Sequence, residues 1–409
     1  MKPFLSIISF AVKEGISDLY VTGGHPMVTR KLGVINFHNA DRWTHEGVDE
    51  LAIELLTPGQ LEDLRERKSV DLAISASNAR LRINVFSTAR GISLAIRVLP
   101  GHIPTIDELN LHPSLHEIAA MKSGLVLICG GTGTGKTTTV AALINDINTT
   151  RQAHIITLEN PIEYRFQSSK SFIQQRELGT NMPSFAQGLL DVLRENPDVI
   201  VVGELREPET MRLTLNAAES GHLVIATLHA STPEEAIYRL CNAVPTEAQN
   251  EIRYQLASTL NWIIIQQLVY MEKVGYRVPV LTIVRGIPSI KNLIRENKLN
   301  QINSSIQLSR TEGMFTAERY LDEYLAVRKT FVPYEQIFRP SPEESQDIVY
   351  KSRLTESEKR EGPSAKKHPL RTNAAPIIVR NDYSSDETEH MLTINEDESL
   401  QELLRKMEK

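Results

Sequence analysis

Two cysteines, Cys129 and Cys241, are all that 409 residues carry. Neither has a partner at metal-ligand spacing, so no zinc site is written into the chain. Two thiols cannot make a disulfide framework, and such sparse usage fits a reducing cytosol. No run reaches the roughly 18 to 20 apolar residues that a spanning helix needs, so no transmembrane segment is expected. The start, Met1-Lys2-Pro3-Phe4-Leu5-Ser6-Ile7-Ile8, is faintly signal-like. Its serines, the Lys13-Glu14 break and the lack of a small-residue cleavage site favour an amphipathic first helix ending at Gly15. Aromatics are only 6%, and 45 Lys plus Arg stand against 51 Asp plus Glu, a net charge of −6. With no basic stripe and few stacking rings, a nucleic-acid motor is disfavoured, and no nucleic-acid partner is expected.

What is there is an ordinary globular composition, 41% apolar and 23% charged, over a length that suggests two or three domains. Residues 1–100 read as a small α+β domain. Asp18–Thr22 is a strand, Gly23-Gly24 a turn, and Glu46–Glu66 a helical stretch broken at Pro58; Asp71–Ser75, Leu81–Phe86 and Ile92–Val98 are three further strands. Residues 101–123 form a Pro-punctuated linker with a helix over Pro113–Lys122.

From Leu125 the pattern changes. Apolar runs at Leu125–Cys129, Ile155–Leu158, Val199–Val202 and Leu223–Leu228 alternate with helical segments, the signature of a parallel sheet buried on both faces. The helices are expected over Lys136–Asn148, Ser184–Glu195, Pro208–Ser220, Glu234–Ala243 and Glu247–Tyr270. A strand follows over Val278–Ile287, then a helical bundle over Ile290–Val327. Residues 124–335 are therefore an α/β domain. Past Pro340, 69 residues hold 19 apolar and 26 charged side chains, too little apolar surface to offset ordering entropy. The stretch 336–409 is expected to be a polar, disordered tail.

The strongest local signal is Gly130-Gly131-Thr132-Gly133-Thr134-Gly135-Lys136-Thr137, which fits G-x-x-x-x-G-K-[ST] between a strand and a helix. Its glycines let backbone N–H groups converge on phosphates. Lys136 reaches the β/γ-phosphates, and the Thr137 hydroxyl ligates Mg²⁺. Thr138 continues the nucleotide-binding stretch. ATP and Mg²⁺ are the expected cofactors. Carboxylates at the ends of parallel strands face the ligand crevice. Glu204 ends one strand and can polarise the attacking water, although a solvated strand end would look the same. Glu159 and Glu163 follow another strand, and one of them is expected to face the metal. His222 and His229 bracket the strand Leu223–Leu228 at a spacing that suits no chelating pair. His229 is the favoured functional one, because it leaves the strand at the crevice end.

Taken in order, these blocks resemble the secretion ATPase superfamily, and within it the PilT-type retraction ATPases of type IV pili. The acidic box reads Glu159-Asn160-Pro161-Ile162-Glu163, with Asn160 where Asp is usual. The atypical Walker B lies in Asn196–Arg206, with Glu207 where Asp is usual. The His box is Gly221–His229, and Ser289–Glu296 is similar to the retraction signature. The resemblance implies a PAS-like N-terminal domain, a RecA-like P-loop ATPase domain and a homohexameric ring with ATP held between the two domains. It implies catalytic roles for Glu204 and Glu163 and coupling roles for His229 and His222. N-domain arginines would reach the phosphates, the candidates being Arg82, Arg97 and Arg90. It further implies pilus retraction at the inner membrane, reached from the cytoplasm through a platform protein. An assembly or secretion ATPase of a type II/IV secretion or conjugative pilus system is the alternative. That branch usually carries a further N-terminal domain and four zinc-binding cysteines. A non-hydrolysing structural subunit is the reading that Asn160 would suggest.

Overall fold

The computed structural model describes residues 2–31, 34–77, 79–99 and 102–333. All of these fall within one compact unit, Met1–Ser341. The expected tail, 336–409, lies outside the described residues.

The N-terminal part opens with α1 (Lys2–Glu14). Strands β1 (Asp18–Thr22), β2 (Pro26–Lys31) and β3 (Val34–Arg42) lead to α2 (His45–Leu55) and α3 (Pro58–Arg67). Strands β4 (Ser69–Ala76), β5 (Ala79–Thr88) and β6 (Gly91–Leu99) complete it. Pro58 ends nothing by itself. It sits at the first turn of α3, where its missing N–H costs nothing, and Thr57 with Gln60 forms a capping box around it. The six strands make an antiparallel sheet in the order β3-β2-β1-β6-β5-β4. β2 and β3 escaped the sequence reading. Val34, Ile35 and Phe37 of β3 are exposed, so this edge strand lacks the inward–outward alternation that marks a strand in sequence.

The second part follows a short helix, α4 (His116–Ala119). Strand β7 (Gly124–Cys129) enters α5 (Lys136–Thr150), and β8 (His154–Glu159) and β9 (Phe172–Glu177) precede α6 (Phe185–Val192). β10 (Val199–Val202), α7 (Pro208–Glu219), β11 (Leu223–Leu228), α8 (Pro233–Cys241) and α9 (Gln249–Thr259) come next. β12 (Leu260–Met271), β13 (Tyr276–Arg285) and α10 (Pro288–Arg295) follow, then short helical turns to Leu325. The sheet order is β13-β12-β7-β11-β10-β8-β9, parallel except for the β12–β13 hairpin. Every residue of β7, β10 and β11 is buried, as a sheet covered on both faces requires.

One expected element is corrected. The helix read over Glu247–Tyr270 stops at Thr259, and Leu260 onward is β12. Ile263, Ile264 and Ile265 are all buried. A continuous apolar run carries no period that separates helix from strand. Pairing with β7 on one side and β13 on the other decides it. The bundle expected over Ile290–Val327 is likewise a series of short turns after α10, not long helices.

Candidate active site

The parallel strands end on one edge, and the candidate residues gather there. Between β7 and α5 the chain turns through Gly130 (φ +149), Gly133 (φ +78) and Gly135 (φ +87). A side chain at Gly130 would place its Cβ 2.5 Å from the Gln266 carbonyl oxygen and 2.7 Å from Thr134 Oγ1, so only glycine fits. Gly135 caps α5 without any side-chain hydrogen bond. The amides of that helix start are therefore left for an anion, and the helix dipole favours one there. Lys136 Nζ donates to the carbonyls of Gly130 (2.9 Å) and Gly131 (2.8 Å), arching over the loop. Burial lowers its pKa, opposed by the nearby Glu204 carboxylate. The loop is braced from β12 by Gln266, which is 2% exposed. Its Nε2 donates to the Thr134 carbonyl (2.7 Å), and its Oε1 accepts from Thr139 Oγ1 (2.7 Å). Sequence reasoning missed Gln266 because it placed this segment in a helix.

Glu204 follows β10 and faces the loop. Its carboxylate lies 3.2 Å from His229 Nε2 and pairs with Arg206 Nη2 (2.7 Å). Burial, and then the Lys136 ammonium, lower the His229 pKa. Both effects favour the neutral imidazole. His222 is at the other end of β11, where its Nδ1 is 3.0 Å from both the Ala217 carbonyl and Ser220 Oγ. Seven residue steps along the strand separate the histidines, roughly 23 Å at about 3.3 Å per residue. Within one chain the structure does not bring His222 to the cluster.

The acidic box divides in two. Glu159 turns inward, where its Oε1 accepts from Thr157 Oγ1 (2.6 Å) and Gln175 Nε2 (3.0 Å). Burial pushes its pKa up to about 7. Glu163 instead meets the N-terminal sheet, with Arg82 Nη1 donating to it at 3.0 Å. Asn160 between them is exposed. Arg82 and Arg97 sit directly opposite each other on β5 and β6, so their side chains share one face. Arg97 is held by Asp18 at 2.9 Å. Arg90 is exposed on the β5–β6 turn, at the far end of the hairpin from Arg82. Thr138 Oγ1 is 3.1 Å from Tyr164 Oη, just past Glu163.

Two groups are implied, nucleotide and metal. The uncapped start of α5 and the three left-handed glycines suit a polyphosphate. Among the described residues no group of three or more His, Cys, Asp or Glu side chains could hold a metal ion. The exposed Thr137 hydroxyl fits Mg²⁺, which keeps its waters and binds through few protein ligands plus phosphate oxygens.

The profile of the type II/IV secretion system protein family matches residues 63–308. The chain belongs to that family. It is 36% identical over 322 residues to the type IV pilus retraction ATPase PilT of Pseudomonas aeruginosa, spanning 78% of this chain and 93% of that protein. An uncharacterised protein, YggR of Escherichia coli strain K12, is 40% identical over 314 residues, 76% of this chain and 95% of that one. A crystal structure of the pilus retraction motor PilT with bound ADP superposes with a TM-score of 0.72 at 38% identity, covering 83% of this chain and 98% of that one. This family member is a PilT-type P-loop ATPase with an α/β fold, and it binds nucleotide. No helix among its described residues is long and apolar enough to cross a membrane.

Proposed function

We propose that this chain powers type IV pilus retraction as a homohexameric motor. It would act at the cytoplasmic face of the inner membrane on a platform protein. The observation that carries the motor reading is the Arg82–Glu163 contact. It joins a sheet of the proposed N-domain (1–100) to the acidic box of the proposed ATPase domain (124–335), beside the P-loop. The likeness to PilT along nearly its whole length supports retraction over assembly.

In this reading the Gly130–Thr138 amides and Lys136 hold the phosphates of ATP. Thr137 would hold Mg²⁺, which when bound would supply charge neutralisation at the phosphates. Glu204, beside the His229 imidazole, orients the attacking water. Glu163 is the second acid. Arg82 and Arg97, freed from Glu163 and Asp18, close on the phosphates and draw the domains together; loss of the γ-phosphate lets them part. His222, far from its own chain's cluster, would act on domain position or at a neighbouring subunit. A ring fits a site shared between copies packed head to tail.

The test is Lys136→Ala in pilus-bearing cells that lack the wild-type copy. Surface pili should remain or multiply while surface motility disappears, and the purified variant should release no phosphate. Loss of the pili themselves would favour an assembly ATPase instead.

A further inference from the structure

Arg80 is the one arginine of β5 that no sequence signal singled out. It is 7% exposed, a rare degree of burial for a guanidinium. Its partner is not a carboxylate. Nε and Nη2 both donate to the Ile162 carbonyl oxygen, at 3.1 and 3.0 Å, and Nη1 reaches Ser75 Oγ at 3.4 Å. On the other side of the same residue, the Ile162 N–H donates to Glu177 Oε2 at 3.0 Å. The backbone just before Glu163 is therefore gripped at both its donor and its acceptor. One grip comes from the N-terminal sheet and the other from β9.

A buried charge with only uncharged oxygens to bond is costly, and a hydrophobic residue there would often be more stable. Burial, and then the Arg165 guanidinium, push the Arg80 pKa down to about 10, so the charge persists at neutral pH. Arg80 and Arg82 lie two residues apart on β5 and so share its face. One grips the loop backbone and the other meets the carboxylate that the loop carries.

We propose that Arg80 is a positioning residue: through the Ile162 carbonyl it sets where Glu163 sits, and so ties the acid to the orientation of the N-terminal sheet. This rests on the reading of Glu163 as the second acid. The Arg80 hydrogen bonds go to Ile162 and Ser75, so its role runs through the loop that carries Glu163. Its removal acts on turnover, because displacement of a reacting group by about 1 Å can cost up to about a hundredfold in rate.

The experiment compares Arg80→Met, Arg80→Lys, Glu163→Gln and the Arg80→Met/Glu163→Gln double variant. Each is assayed for phosphate release with Mg-ATP, for binding of a fluorescent ATP analogue and for thermal unfolding. Arg80→Met should lower kcat about tenfold or more while the analogue's Kd stays within about threefold. Arg80→Lys, which keeps the charge and one hydrogen bond, should recover most of the rate. In the Glu163→Gln background Arg80→Met should have little further effect, because the group it positions is already disabled.

Unchanged kcat in a folded Arg80→Met variant, or losses that multiply in the double variant, would overturn the proposal. Parallel falls in kcat, affinity and unfolding temperature would overturn it too, as signs of general loosening. If Arg80→Met does not fold, Arg80→Lys decides through the same cycle: a partial fall in kcat that disappears in the Glu163→Gln background upholds the proposal, and one that persists there overturns it. Wild-type turnover in Glu163→Gln alone would also overturn it, but by removing the second-acid role, an outcome separable from the others.

Discussion

Glu159→Gln tests how the acidic box divides its labour. In the folded protein the Glu159 carboxyl is buried, its pKa pushed from 4.5 to about 7, with burial the main cause. An unfolded chain gives up this proton near pH 4.5, while the folded chain keeps it to about pH 7. Across that window the unfolded state binds fewer protons, so stability falls as pH rises, and the deficit is complete above pH 7. A shift of this size corresponds to about 3 kcal/mol at most. Partial access to solvent reduces it to about 1–3 kcal/mol. Glutamine carries no proton to lose, and its Oε1 can accept the same bonds from Thr157 and Gln175. Relative to wild type at pH 5, the variant should therefore gain stability as pH rises. Its unfolding temperature at pH 8 should be about 2–6 °C higher, read by thermal unfolding from pH 5 to 8.5. Turnover should stay within about threefold of wild type, since Glu159 faces Thr157 and Gln175 and not the phosphates. Parallel stability profiles for the two proteins would refute the burial argument. A loss of turnover of about a hundredfold would refute the assignment of the working acid to Glu163.

Three further outcomes are expected. Glu204→Gln should keep nucleotide binding, because Lys136 and the loop are untouched, but lose about 10² or more in turnover; single-turnover phosphate release against analogue binding separates the two. Asn160→Asp should add a negative charge at an exposed position of the box and lower the Mg²⁺ concentration for half-maximal turnover, read from a Mg²⁺ titration. Ile294→Ala should destabilise by about 2–4 kcal/mol, since Ile294 is fully buried; denaturant unfolding checks this.

Much of this protein is legible in its sequence because the signals are local. A P-loop needs glycines at left-handed positions and a lysine at a helix start, and both requirements fall on neighbouring residues. The buried parallel strands announce themselves as unbroken apolar runs. Glu204 and His229 follow directly after such runs, so their place at the crevice edge comes with the strands. Tertiary structure decided what depends on residues far apart in the chain. β12 is a strand because β7 and β13 flank it, and only that pairing brings Gln266 under the P-loop. The Glu159 and Glu163 side chains differ by four positions in sequence but face opposite environments, one toward Thr157 and Gln175, the other toward Arg82. His222 belongs to the same motif as His229, yet one strand length keeps it from the cluster. Arg80 is an unremarkable strand residue until the Ile162 carbonyl, 82 positions away, meets it in a buried contact. Such partners carry no periodicity and no spacing rule, because only the packing of one part of the chain on the other creates them.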